Sequence, residues 1–309
     1  KERLDDDAGS KARMLDSLEN FRVPNFFVVE PAEIRDLSRN SEEAKNQIED
    51  AYDDIGMSSE VRNATGRAKN LVGGQRNGQR VSVRVSNSID SDTEYRLNVG
   101  SSELIDAIKQ VASSYREQEN SYPAIIVQKM VEPEYSGAAM TSPRGDDLVE
   151  VVEGLGTSLE EGENRPYIYV KEGDVIKTRV PDSHREVSRN PMNGRKKTKN
   201  VDPELPFDDS EIRELIGKLE SESINIKFVY KRGEFYAVDA WEEKPSYEIL
   251  EDSEIQGVRV SPGDISGTVG REITVSEDTR PPEKYENALI CSRGGYTSRD
   301  AEAARREDK

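Results

Sequence analysis

Cysteine and histidine are nearly absent from this sequence of 309 residues, which contains one of each, Cys291 and His184. A single cysteine excludes an internal disulfide, and a thiol within an apolar stretch such as NALICS is typical of a core position. This cysteine usage favours a reducing compartment, and we expect a cytoplasmic protein. His184 lies in a polar segment far from any recognisable motif, so we expect it to be solvated rather than catalytic.

Long apolar runs are absent as well. No run approaches the roughly 18 residues that a membrane-spanning helix needs, so we expect no membrane partner. Hydrophobic residues make up 33% of the chain and aromatic residues 6%, while 62 acidic residues face 44 basic ones, for a net charge of −18. A charge of this sign argues against a non-specific nucleic-acid-binding protein.

The chain is longer than the usual domain of about 100 to 200 residues, and its patterns mix helices with strands. Apolar residues recur at helical spacing in residues 10–21, 102–117 and 210–222, whereas the alternating valines of residues 81–85 predict a half-buried strand. Other short apolar segments with turn signals between them predict many antiparallel strands. We therefore expect an α+β fold.

Residues 182–209 are polar, contain NGRKKTK and three prolines, and lack apolar periodicity. We expect this segment to be mobile and to contribute nothing to the core. A basic lid is the functional alternative. The turn at Arg232 and Gly233 is expected to join two strands that follow this segment.

Two motifs in the first third of the chain point to phosphate binding. GSKARML places Lys11 just beyond a glycine at a helix start, where its charge and nearby backbone N–H groups can approach a phosphate. VSVRVS presents Arg84 on the side of the strand opposite its valines. A guanidinium suits this task because its planar fork donates two hydrogen bonds to one phosphate.

A third motif, VQKMV followed by SGAAMT and EVVEGLG, comes later in the chain. Together and in this order, the three motifs resemble the nucleotide half of the phosphoenolpyruvate synthase and pyruvate phosphate dikinase family. The resemblance implies an ATP-grasp domain of two α+β lobes over residues 1–250 that binds ATP. It also implies the following nucleotide-binding residues: Lys11 and Arg84 on the phosphates, Gln128, Met130 and Val131 in the adenine pocket, Gly137 at a close backbone approach, and Glu150 or Glu153 on the ribose hydroxyls.

The chain departs from this family where magnesium is bound. The family's Asp-Ile-Glu is replaced by Asn225-Ile226-Lys227, and a lysine cannot ligate a metal. Mg²⁺ prefers oxygen ligands, which Asp239 and Glu242 could restore. The alternative is an ordinary edge strand with solvated acids. The loop SIDSD is also shorter than its counterpart in the family.

The end of the chain, SPGDISGTVG and GGYTSRDAEAARRE, resembles the family's swivelling phosphohistidine domain. Arg299 stands at the position of the phosphate-carrying histidine, and a guanidinium is not a usable phosphoryl nucleophile. We expect residues 251–309 to form a reduced α/β module of this type.

Three functions remain open on these grounds. The chain is a subunit that binds nucleotide without completing phosphohistidine transfer by itself, an active ATP-dependent phosphotransferase of the dikinase type whose histidine comes from a protein partner in trans, or a catalytically dead structural partner in an assembly. The missing histidine, the missing acids and the short loop favour binding without turnover.

Acidic residues occur on nearly every predicted helix, which indicates a salt-adapted protein; an ordinary acidic surface is the alternative. Salt screens repulsion between like charges. We therefore expect the melting temperature, followed by circular dichroism, to rise between dilute buffer and molar KCl. A melting temperature that stays flat or falls would contradict salt adaptation.

Overall fold

A computed structural model describes the following residues of the chain: 4, 6–55, 79–86, 95–142, 146–161, 163–181, 184–189, 196–242, 248–250, 257–259, 272–274 and 289–291. The chain divides into two compact units, Lys1–Val131 and Glu132–Lys309. Each unit combines helices with an antiparallel sheet, which confirms the expected α+β class. None of the helices in the described ranges combines the length and the apolar character needed to cross a bilayer.

The described residues of the first unit form four α-helices and a four-stranded sheet. The helices are α1 (Ser10–Ser17), α2 (Pro31–Ser38), α3 (Glu42–Ile55) and α4 (Leu104–Glu119), and the strands are β1 (Phe26–Val29), β2 (Val81–Val85), β3 (Arg96–Val99) and β4 (Ile125–Lys129). The strand order is β1-β4-β2-β3, and all three pairings are antiparallel. The helices expected near residues 10–21 and 102–117 are confirmed with small shifts at their ends.

The core of the first unit lies on one face of this sheet. Val81, Val83 and Val85 are buried there together with apolar residues of α2, α3 and α4. Alternate residues of a strand point to opposite faces, so Arg84 points away from this core, as expected. Gln128 lies on the same face as Arg84, because it pairs with Ser82 and the register of β2 with β4 is unbroken.

The second unit contains a six-stranded antiparallel sheet in the order β12-β11-β5-β6-β7-β8. Its strands are β5 (Tyr135–Met140), β6 (Asp146–Glu153), β7 (Tyr167–Glu172), β8 (Val175–Arg179), β11 (Asn225–Lys231) and β12 (Glu234–Trp241), with a separate hairpin of β9 (His184–Arg189) and β10 (Lys196–Val201). A single helical turn, α5 (Thr157–Glu160), follows β6, and α6 (Asp209–Glu222) precedes β11. Arg232 and Gly233 form the expected tight turn with positive φ angles of 52° and 81°.

The two faces of the six-stranded sheet differ in character. One face, here the aromatic face, carries Tyr135, Tyr169, Phe228 and Tyr230. The three tyrosine rings pack around Phe207, and the Phe228 ring packs against Phe235. The Tyr230 hydroxyl donates to the Glu211 carboxylate of α6. The buried residues of this helix are Ile212, Leu215, Ile216 and Leu219. The other face, here the charged face, carries a row of register partners that runs from Asp239 through Lys227 and Ala138 to Glu150.

Residues 182–209 do not behave as expected. Instead of remaining outside the core, this segment contributes the β9–β10 hairpin and three buried side chains, His184, Val187 and Phe207, which are 2%, 1% and 3% exposed. The Leu155 N–H donates to the Val187 carbonyl at 2.7 Å. The expectation that His184 is solvated is therefore wrong. Isolated apolar residues between polar ones leave no periodic signal, although each can fill a gap in a core.

The predicted module at residues 251–309 is described only in three short strands, β14 (Gly257–Arg259), β15 (Glu272–Thr274) and β16 (Leu289–Cys291). The first pairs antiparallel with β13 (Glu248–Leu250), and the other two pair in parallel. Arg299 lies outside the described residues. The swivelling module, and the boundary near residue 250, stay predictions.

Gly137 offers a sharp test of the packing in the second unit. A Cβ added there would lie 2.0 Å from the Glu150 carbonyl oxygen and 2.7 Å from the Phe228 ring. We expect Gly137→Ala to lower the free energy of unfolding by about 3 kcal/mol or more, measured by urea denaturation. The control is Gly217→Ala in α6, where an added Cβ meets nothing within 4 Å. That substitution should raise stability by about 0.5–1 kcal/mol, and equal effects at both positions would contradict the packing.

Candidate functional site

The Arg84 and Gln128 side chains form a hydrogen-bonded pair on adjacent strands of the first unit. Arg84 Nη2 donates to Gln128 Oε1 at 3.2 Å. Gln128 is only 2% exposed, and its Nε2 has no hydrogen-bond partner among the described residues. Two of the predicted nucleotide-binding residues are thus brought into direct contact.

The orientation of the Gln128 amide follows from this contact. If the amide were flipped, two donors, Nε2 and the Arg84 guanidinium, would face each other. The amide N–H₂ therefore remains as a buried donor that needs an acceptor, and an unsatisfied buried donor costs about 1–3 kcal/mol. A guanidinium beside a buried amide donor favours a ligand that is negatively charged and rich in acceptor oxygens.

The start of α1 lies on the same face of the sheet as Arg84. Ser86 is two residues beyond Arg84; its hydroxyl donates to the Ala8 carbonyl at 2.7 Å and accepts the Ala12 N–H at 3.0 Å. Gly9 has φ +79°, and a Cβ there would lie 2.6 Å from Ser86 Oγ. The glycine of the first motif thus permits close packing of the α1 start against β2.

This packing changes the expected role of the α1 start. The Lys11 N–H donates to the Ser86 carbonyl at 3.1 Å, and the Ala12 N–H is held by the Ser86 hydroxyl. These two N–H groups therefore serve the fold, and the Lys11 side chain is half-buried. Its phosphate contact stays a prediction.

Met130 and Val131 follow β4, and both are half-buried. The Met130 N–H donates to the Arg80 carbonyl at 2.9 Å, and its Sδ accepts the Asn98 N–H at 2.9 Å. These contacts hold Met130 at the end of the strand next to Gln128. The adenine pocket predicted from the motif VQKMV stays a prediction.

The predicted residues of the second unit do not share one face of its sheet. Gly137 lies on the aromatic face, where its missing side chain admits the Phe228 ring and the Glu150 carbonyl. Glu150, which is fully buried, lies on the charged face opposite Ala138, whereas Glu153 pairs with Tyr135. The two alternatives for a ribose contact therefore point to opposite sides of the sheet.

Glu153 belongs to a cluster that the sequence analysis missed. Its N–H donates to His184 Nε2 at 3.1 Å, and its carboxylate accepts the Tyr167 hydroxyl at 3.3 Å. The Tyr167 and His184 ring centroids are 4.5 Å apart. Burial lowers the pKa of His184 and raises the pKa values of Glu153 and Tyr167. Only contacts between residues distant in sequence create this cluster, so no local signal could have revealed it.

The residues predicted to bind magnesium do not fit a magnesium site in the described part of the chain. Asp239 faces Lys227 across the β11–β12 ladder and accepts the Ala240 N–H at 3.1 Å, while Glu242 is exposed beyond the end of β12. Asn225 Oδ1 accepts the Thr141 N–H at 2.9 Å. No group of three or more His, Cys, Asp or Glu residues in these ranges is arranged to hold a metal ion.

Comparison with protein-family models finds no match, and neither does comparison with curated proteins. Among solved structures, the chain is similar to a D-alanine–D-alanine ligase from Bacillus anthracis, with 9% identity, coverage of 74% of this chain and 53% of that chain, and a TM-score of 0.31. It is also similar to the VanG D-Ala:D-Ser ligase from Enterococcus faecalis, with 13% identity, coverage of 76% and 52%, and a TM-score of 0.34. The chain thus spans about half the length of these ligases. At such TM-scores the similarity carries no argument about fold or activity, and the ATP-grasp fold stays a prediction.

The His184 contact predicts how stability depends on pH. Neutral imidazole can accept the Glu153 N–H through Nε2, whereas the protonated ring cannot. In the unfolded chain the His184 side chain binds a proton near pH 6.5, whereas its pKa in the folded protein is lower. The free energy of unfolding should therefore fall as the pH decreases below about 6.5.

Chemical denaturation between about pH 7 and pH 5.5 tests this expectation, with a slope of up to about 1.4 kcal/mol per pH unit. His184→Gln is the control, because a glutamine oxygen can accept the same N–H without titrating. The raised pKa values of Asp147 and Glu153 act in the opposite sense, since their contribution to stability is lost as pH rises. Identical slopes for the two proteins would contradict the assignment.

Proposed function

We propose that the chain binds ATP as a divergent nucleotide-binding subunit of the dikinase type, and that it does not complete phosphohistidine transfer by itself. The observation that carries this proposal is the Arg84–Gln128 pair, with its 3.2 Å hydrogen bond and its buried amide donor. A phosphate group supplies both the negative charge and the acceptor oxygens that this pair favours.

Lys11 adds a second cation near the same face of the sheet. The α1 start is tied to Ser86, which lies on the same side of β2 as Arg84 because the two residues are two positions apart. Two cations beside the buried amide donor of Gln128 favour a polyphosphate ligand over a ligand with a single carboxylate. The family resemblance of the surrounding motifs then favours ATP among the polyphosphates.

Binding is favoured over turnover because two residues that the chemistry needs are replaced in this sequence. Phosphoryl transfer depends on charge neutralisation at the phosphates. Lys227 replaces an acid at the expected magnesium position, and Arg299 replaces the expected histidine. A phosphotransferase whose histidine comes from a partner, and a structural partner without nucleotide, remain the alternatives.

The proposal is tested by isothermal titration calorimetry in molar KCl. ATP is titrated into the wild-type protein and into the Arg84→Ala and Lys11→Ala variants. Loss of a charged hydrogen bond costs about 1.5–3 kcal/mol, so Arg84→Ala should weaken binding roughly tenfold or more. Lys11→Ala should weaken it as well. Arg35→Ala, which removes an exposed arginine from α2, is the matched control and should leave the affinity unchanged.

The outcomes separate the alternatives. No heat of binding from folded wild-type protein would overturn the proposal and favour a structural partner. Binding followed by phosphate transfer to an added partner chain with an intact Thr-Ser-His motif would favour the trans-acting phosphotransferase. Equal weakening by Arg84→Ala and Arg35→Ala would show that only overall charge matters, which contradicts a site at Arg84.

A further inference from the structure

Lys227 occupies the middle of a row of charged residues on the charged face of the second unit. Asp239, 8% exposed, is its register partner on β12. On the other side, Ala138 of β5 separates Lys227 from Glu150, which is fully buried on β6. Lys227 Nζ lies 2.8 Å from Glu160 Oε1. The ammonium thus contacts the Glu160 carboxylate, and Asp239 and Glu150 belong to the same row.

The segment Gly154-Leu155-Gly156 carries Glu160 to this row. Gly154 has φ +75°, and a Cβ there would lie 2.1 Å from the Val187 carbonyl oxygen. A Cβ at Gly156 would lie 3.3 Å from the Cβ of Ser136, which is on the same face of the sheet as Ala138. The chain therefore turns tightly back over the charged face, and α5 begins there. The Gly-Leu-Gly motif positions an acid beside Lys227.

Burial makes the charge of Lys227 important for this face. The side chains of Lys227 and Glu160 are 27% and 23% exposed, so water screens their ion pair only in part. Carboxylates removed from water require a nearby cation or a proton. The ammonium has three donors, which suits it to more than one acceptor at once.

We propose that Lys227 is the resident cation of this row and performs the charge compensation that a divalent metal ion would otherwise perform. The protein then binds no Mg²⁺ at these acids. Lys227 is a positioning residue, because it acts by holding Glu160 in place.

The proposal is tested by thermal unfolding of the full chain without nucleotide. The melting temperature in Mg²⁺ or Mn²⁺ is compared with the melting temperature in EDTA. Lys227→Glu places a fourth carboxylate in the row. We expect this variant to melt below the wild type in EDTA and to recover in a saturable manner when Mn²⁺ is added. The wild type should respond no more than Lys218→Glu, the control, which makes the same charge change at the Lys218–Glu214 pair on α6.

Lys227→Gln serves if Lys227→Glu does not fold. It removes the ammonium without adding a negative charge, so Mn²⁺ should stabilise it more than it stabilises the wild type. A saturable Mn²⁺ response of the wild type equal to that of the Lys227 variants would overturn the proposal. So would the absence of any Mn²⁺ response in folded Lys227→Gln beyond that of Lys218→Glu.

Discussion

The close pairing of β5 with β6 at Gly137 determines where the acidic residues of β6 lie. Because no side chain stands at Gly137, the Glu150 carbonyl and the Phe228 ring can both approach the β5 backbone. The register that results directs Glu150 to the charged face and Glu153 to the opposite side, next to Tyr167. A shift of one residue would exchange these environments and place a buried carboxylate among aromatic rings. The placement of the fully buried Glu150 on the charged face depends on that register.

Arg84 and Lys227 illustrate two ways to accommodate a cation in a sheet. Arg84 contacts a neutral amide, and the amide retains an unused donor, so this part of the first unit favours an added acceptor. Lys227 contacts a carboxylate and lies between two more in the row, so its charge is compensated within the second unit. In an acidic protein the second arrangement is the easier to build, since acids are abundant near any lysine.

Local patterns in the sequence predicted the elements of this fold well. The valines of β2 carry a signal in their alternation, and the turn carries one in Gly233, which adopts a positive φ angle easily. The burial of His184 and Val187 could not be predicted in this way, because it depends on a distant partner, the segment at Gly154 and Leu155. For the candidate site, the face of Arg84 was predictable from strand periodicity. The contact with Gln128 was not, since it requires the register of β2 against β4.

Ser86 joins two parts of the first unit that are more than 70 residues apart in sequence. It bonds to the chain before α1 through its hydroxyl and to Lys11 and Ala12 of α1 through its carbonyl and hydroxyl. Helix α1 cannot fray at its first turn without breaking these bonds at the end of β2. The amide protons of Lys11 and Ala12 therefore report on the strand as well as on the helix, and in hydrogen exchange the two elements should open as one cooperative unit. The amide protons of α1, a short helix of 8 residues, are thereby protected from hydrogen exchange more than the length of the helix alone would provide.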